Sequence, residues 1–227
     1  QRQRDSHKAT PTDRGRQEST RRCTERGEDE QNRDIGGVGG IETTTDSGAG
    51  EPLKQWDNHG TPVGGCIAAI INNATGTVGI APGTSVSSAR TFITINSSGN
   101  WSSVASWTVA SLAFGESIGA RVTNNSNYYG FTSSAIATKY DDTRDAGMVH
   151  FASAGNDAQN GASYPASLPT VNAISALDPD GNLASFSNFG PLIDFSAPGV
   201  SAYTTDRSGT DGWSSGDYTF ANGTSFA

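Results

Sequence analysis

Cysteine is almost missing from this chain: Cys23 and Cys66 are the only two among 227 residues. Their spacing fits no metal or redox motif, which excludes a zinc-ribbon or dithiol reading, and it gives a Cys23–Cys66 disulfide no support. Cys66, within GGCIAAI, reads as a small buried apolar residue. Charge is scarce as well, at 17%, and the formal net charge is -8. An acidic chain lacks the clustered Lys and Arg that neutralise phosphates, so a nucleic-acid partner is not expected. No apolar run approaches the roughly 18 residues of a membrane span. The first residues hold no apolar stretch of the signal-peptide kind, so none is read in this chain.

The most telling absence is local. Residues 1–34 contain no Val, Ile, Leu, Met, Phe, Trp or Tyr, yet hold 9 Lys/Arg and 8 Asp/Glu. Such a stretch has no apolar surface to bury against the entropy of ordering, so it is expected to be a disordered tail. Its interleaved signs argue against a basic arm. A linker and a stretch not native to the gene remain as alternatives. Residues 35–227 are then the folded domain.

What is abundant is Gly, Ser, Thr and Asn, the composition of a loop-rich secreted enzyme. Gly36–Asp57 reads as loop. Pro62–Asn72 reads as a helix with Pro62 in its first turn. Val78–Ala81 and Ser85–Ile95 read as strands. Trp101–Ile118 reads as a helix capped by Ser102 or Ser103, with Val104, Trp107, Ala110, Leu112 and Ala113 as its apolar face. Arg121–Asn125, Met148–Ser153 and Val171–Ala176 are strands, and Ser133–Asp145 is a helix closed by Gly147. This alternation predicts an α/β fold with a mainly parallel central sheet and helices on both faces. Short strands in antiparallel hairpins are expected over Ala184–Ala227.

Three short motifs carry chemistry. In DNHGTPVGG, His59 opens the first predicted helix, and Gly64 and Gly65 permit close packing behind it. In FASAGND, an apolar strand delivers Asn156 to its carboxyl end, where open α/β sheets bind ligands. In NGTSFA, Ser225 begins a helical turn whose backbone N–H faces the same anion site. Each motif alone is commonplace: His-Gly as a surface turn, Asn as a turn residue, Gly-Thr-Ser as a loop.

Together, and in this order, His59, Asn156 and Ser225 with their flanks resemble the subtilase family of serine peptidases. VTNNSNYYG (Val122–Gly130) is similar to the family's substrate-binding strand. The stretch Tyr164–Val200 is similar to the segment the family carries between oxyanion Asn and nucleophile. The resemblance covers Gly40–Ala227. It implies a subtilisin-like three-layer α/β fold, truncated here at the C-terminus, with Ser225 as nucleophile, His59 as base and Asn156 as oxyanion donor. It further implies that Ser126, Asn127 and Tyr128 pair with substrate backbone. Ala152, Ser153, Ala154 and Gly155 would wall the primary specificity pocket. A secreted, monomeric endopeptidase acting on polypeptides is expected, with no membrane partner.

The chain also departs from the family's pattern. The acid that orients the base should follow an apolar strand upstream of His59. Asp34 and Asp46 have the right tripeptides in the wrong context, and we expect that strand and its Asp to be absent. The family also continues with a long helix from the nucleophile, whereas Ala227 is two residues past Ser225. Both features predict that this chain is an inactive fragment of a peptidase. Pro62 replaces a second His of many subtilases. The bend Asn72–Gly76 resembles a calcium loop, so calcium is allowed there, but no other metal ligand is identified. Competing readings are a catalytically dead subtilase-like binding module, an adhesive β-domain and a sedolisin-type peptidase.

Overall fold

The computed structural model describes residues 39–44, 52, 56–98 and 100–227. The charged N-terminal stretch, Cys23, Asp34 and Asp46 lie outside these. In chain order the elements are β1 (Gly39–Glu42), α1 (Gly60–Ala68), β2 (Ser87–Arg90), β3 (Ile93–Thr94), β4 (Trp101–Ser102), α2 (Ala105–Ser117), β5 (Val122–Asn125), α3 (Ser134–Asp145), β6 (Val149–Ser153), β7 (Val171–Leu177), β8 (Phe195–Pro198), β9 (Ala202–Thr205), β10 (Tyr218–Ala221) and a closing 3-10 turn, Thr224–Phe226.

The centre is a parallel sheet in the order β5-β6-β7-β8. Its strands are short and their residues alternate between two faces. Ala152 of β6 and Val171 and Ala173 of β7 face one side, where they pack with Leu112 of α2 and Ile136 and Tyr140 of α3. The opposite face, through Val122, Asn124 and Phe151, lines an apolar cleft of about 650 Å³ bordered by Val63, Cys66 and Ile67 of α1. The expected mainly parallel α/β architecture, with helices against both faces, is therefore what this chain forms. Beside it, β1 pairs in parallel with β2, and β9 and β10 form an antiparallel hairpin.

Several local expectations change. Gly36–Asp57 is not all loop, since Gly39–Glu42 is a strand that β2 templates residue for residue. Just beyond it, the Thr43 hydroxyl donates to Arg90 O at 2.6 Å. Val78–Ala81 is not a strand. Its amides serve the end of α1 instead: Gly79, Ile80 and Ala81 donate to the carbonyls of Ala69, Cys66 and Ile67 at 3.0, 3.0 and 2.8 Å. Those helix-end carbonyls would otherwise lack partners. On α2 the residue at the N-cap is Val104, with no side-chain cap. Ser103 instead donates its hydroxyl to Thr91 O at 2.7 Å. The buried stripe of α2 is Thr108, Ser111, Leu112 and Gly115, a helical period carried mostly by small polar residues. Finally, β8 joins β7 in parallel, where a hairpin was expected.

One buried group makes the central sheet sensitive to acid. His150 on β6 is fully buried. Its Nδ1 meets the Thr123 hydroxyl at 2.7 Å and its Nε2 meets the Thr143 hydroxyl at 3.1 Å. Thr143 has one proton, directed to the carbonyl of Lys139 at 2.7 Å. It therefore accepts from Nε2–H, and Nδ1 accepts from Thr123. The imidazole is neutral with both nitrogens satisfied. Burial, then the nearby Arg144 charge, lowers its pKa to about 4, against a smaller opposing effect of the Tyr140 backbone. Between this value and the unfolded one near 6.5 the unfolded chain binds more protons. The stabilisation is thus complete above pH ~6.5 and is lost as pH falls toward 4. Urea unfolding should show about 2 kcal/mol lost between pH 7 and pH 5, and His150→Phe should flatten that dependence.

Candidate active site

Asn156 and the Ser225 loop meet at the carboxyl edge of the parallel sheet, and His59 lies beside Phe226, the neighbour of Ser225. Asn156 follows β6 by three residues. Its Oδ1 accepts two hydrogen bonds from Thr224, one from the backbone N–H and one from the hydroxyl, both at 2.9 Å. Two donors on one atom identify it as the oxygen, so Nδ2 is the donor end of the amide. The Gly155 N–H in turn donates to the Thr224 hydroxyl at 3.2 Å. The strand end and the Ser225 loop are thus fastened by a short relay through Thr224. Gly223 enters that loop at φ 149°, a conformation open to glycine and strained for other residues.

Ser225 lies in the 3-10 turn Thr224–Phe226. Its hydroxyl donates to Ser126 O at 2.9 Å, while the Ser126 hydroxyl donates to Ser225 O, also at 2.9 Å. Of the expected substrate-strand residues, Ser126 and Asn127 are buried and Tyr128 is exposed. Asn124 and Asn125 hold the bend, donating to the Ser126 hydroxyl at 2.7 Å and to Asn127 O at 2.8 Å. The expected pocket-wall residues divide. Ala152 belongs to the core beneath α2 and α3. Ser153 and Ala154 are buried, with Ala154 O accepting from Ser163 N and the Asn188 amide. Gly155, at φ 112°, passes so close to Asn188 and Ser163 that a Cβ there would overlap both.

His59 occupies the N-cap position of α1, and its imidazole lies beside Phe226, the neighbour of Ser225, with ring centroids 5.7 Å apart. The helix is held from behind by β9. The hydroxyls of Thr204 and Thr205 donate to Pro62 O at 2.6 Å and Thr61 O at 2.8 Å. A Cβ on Gly65 would overlap both threonines, which explains the need for a small residue there. The next residue, Cys66, is a free thiol whose pKa burial raises.

Sequence reasoning missed the support beneath His59. Asp57, two residues earlier, is 4% exposed, and Arg90 at the end of β2 is 1% exposed. They form an ion pair at 2.7 Å through Asp57 Oδ2, and the Thr94 hydroxyl donates to Oδ1. Both carboxylate oxygens are engaged, which fixes the turn that carries His59. The carboxylate stands in the quoted motif, but its partner is 33 residues away and no spacing announces it. Thr224 was equally visible within NGTSFA without signalling its bonds. Among the described residues, no group of three or more His, Cys, Asp or Glu is placed to hold a metal ion.

A parallel α/β sheet with helices on both faces is consistent with a subtilisin-like fold. The chain belongs to the subtilase family (peptidase S8), whose model matches residues 30–227. It is 37% identical to Subtilisin DY of Bacillus licheniformis over 175 residues, covering 75% of this chain and 59% of that protein. It is 36% identical over 188 residues to an extracellular protease of Xanthomonas campestris pv. campestris, covering 79% of this chain and 32% of that protein. The solved structure of a protease from Pseudoalteromonas arctica PAMC 21717 superposes with a TM-score of 0.77, at 24% identity, over 92% of this chain and 73% of that one. The chain thus spans less than two thirds of the length of these curated relatives.

The Asp57–Arg90 pair makes a direct prediction. Asp57→Ala leaves a buried guanidinium without its carboxylate and should cost about 3–5 kcal/mol in urea unfolding. Replacing both partners with apolar residues should cost clearly less. Equal losses in the single and double variants would show that the pair is not what holds this turn.

Proposed function

We propose that this domain is built for serine endopeptidase chemistry, with Ser225 as nucleophile, His59 as general base and Asn156 as oxyanion donor. The observation that carries this reading is the commitment of Asn156 Oδ1 to Thr224. It leaves Nδ2 as the donor end of the amide, which stabilisation of a developing oxyanion requires. The Ser225 backbone N–H supplies a second donor.

In the resting arrangement the Ser225 hydroxyl is hydrogen-bonded to Ser126 O. Attack on a scissile carbonyl requires it to rotate toward His59, which takes the proton and later delivers it to the departing amine. The same rotation releases Ser126 O to accept an N–H from an extended peptide lying along Ser126, Asn127 and Tyr128. Main-chain pairing of this kind gives affinity with little sequence preference, so polypeptides in general are the proposed substrates. Ser153, Ala154 and Gly155 border the position of the residue before the scissile bond. The chemistry uses no cofactor. Action outside the cell is proposed from the likeness to an extracellular protease.

The test is labelling by a fluorophosphonate probe, applied to this chain and to a chimera in which the Asp-bearing upstream strand of a subtilisin precedes residue 35 and its C-terminal segment follows Ala227. Label on Ser225 in either form, lost in Ser225→Ala, supports the assignment; no label on either form counts against it. In subtilisin itself, loss of one oxyanion-hole donor lowers turnover by about 10²–10³. Asn156→Ala should lower kcat of the reactive form by the same order with little change in KM.

A further inference from the structure

Three aromatic rings meet beside the candidate nucleophile. The centroid of Trp213 is 6.2 Å from that of His59 at an interplanar angle of 61°, and 6.2 Å from that of Phe226 at 82°. Phe226 is 9% exposed, whereas Trp213 is 49% exposed. A large apolar side chain is thus presented half-open to solvent, against the imidazole.

The loop between β9 and β10 holds Trp213 by both neighbours. Asp206, fully buried, accepts the Ser214 N–H on Oδ2 at 2.7 Å and the Arg207 N–H on Oδ1 at 2.9 Å. Gly212 lies so close to the Asp206 carboxylate that a Cβ there would overlap it. The Ser214 hydroxyl donates to Tyr218 O at 2.8 Å, and Gly209 N donates to Asp217 Oδ1 at 2.8 Å. Trp213 therefore projects from an anchored stretch of backbone.

We propose that Trp213, with Phe226, forms the surface that receives the side chain of the first residue on the leaving side of the scissile bond. The class it takes is aromatic or large aliphatic. This inference rests on His59 and Ser225 being base and nucleophile. The acyl half of the substrate stays on Ser225, its oxygen toward Asn156 and its preceding residues along Ser126–Tyr128, the flank to which Ser225 is hydrogen-bonded. The departing amine takes its proton from His59, so the residue that owns this amine passes beside the imidazole. The rings of Trp213 and Phe226 are in contact with that imidazole. Stacking of one more aromatic or aliphatic side chain on a half-open indole corresponds to roughly a fivefold to tenfold gain in affinity.

Binding can be read without turnover. Two decapeptides carry an uncleavable reduced bond at the scissile position and differ only in the next residue, Phe or Gly. Their affinities for this chain are measured by fluorescence anisotropy. The Phe peptide should bind about fivefold to tenfold tighter to the parent chain and to Trp213→Phe. For Trp213→Ala the two peptides should agree within about twofold. Equal binding of both peptides to the parent, or a preference retained in Trp213→Ala, overturns this inference alone. Binding of neither peptide overturns it together with the peptide-site reading beneath it.

Discussion

Everything at the candidate site depends on the two hydrogen bonds from Thr224 to Asn156 Oδ1. Asn156 belongs to the end of a central strand, and Thr224 belongs to a loop some seventy residues later. Backbone alone does not join them. A side-chain amide can accept at one end and donate at the other, so joining the segments also sets the direction of Nδ2. A carboxylate at 156 could accept the same bonds but, on the proposed roles, would bring negative charge to the oxyanion position. A valine at 224 would keep the shape and lose the relay to Gly155. Structure and proposed chemistry therefore make the same demand on the same two residues.

His59 is held by a different kind of force. Its helix start is pinned from one side by threonine hydroxyls of β9 and from the other by the buried Asp57–Arg90 pair. A buried ion pair contributes little net stability over an apolar isostere, but losing one half is costly. Its value here is directional. Asp57 precedes His59 by two residues, so fixing the carboxylate by Arg90 and Thr94 limits where the imidazole can sit. The same commitment occupies both oxygens of the acid nearest to His59 in sequence.

What could be read from the sequence follows from whether the signal was local. Ser133 was legible as the start of α3 because it caps the helix itself, accepting from Ile136 N, and Gly147 as its end because φ there is 96°. His59, Asn156 and Ser225 could be picked out as candidates because their motifs are contiguous. β1 was hidden, since GGIE reads as loop until β2 lies beside it. The run Val78–Ala81 looked like a strand because it is apolar, and only the presence of the α1 carbonyls diverts its amides. The buried face of α2 was misread because it uses Thr108, Ser111 and Gly115, residues that apolar patterning overlooks. Trp213 carried no local signal: its neighbours in sequence are turn residues, and its partners are in other segments.

The reciprocal pair of hydrogen bonds between Ser126 and Ser225 has a consequence for latency. On the proposed roles, an empty site directs the serine proton to a carbonyl and leaves the base unengaged by it. Each serine hydroxyl then caps the other segment's backbone, and the arrangement is self-satisfied. An incoming peptide N–H competes for Ser126 O, and success turns the hydroxyl loose at the moment a carbonyl is in place. One hydrogen bond is exchanged for another of similar strength, so the change of state is close to thermoneutral. Occupancy is then the trigger of reactivity.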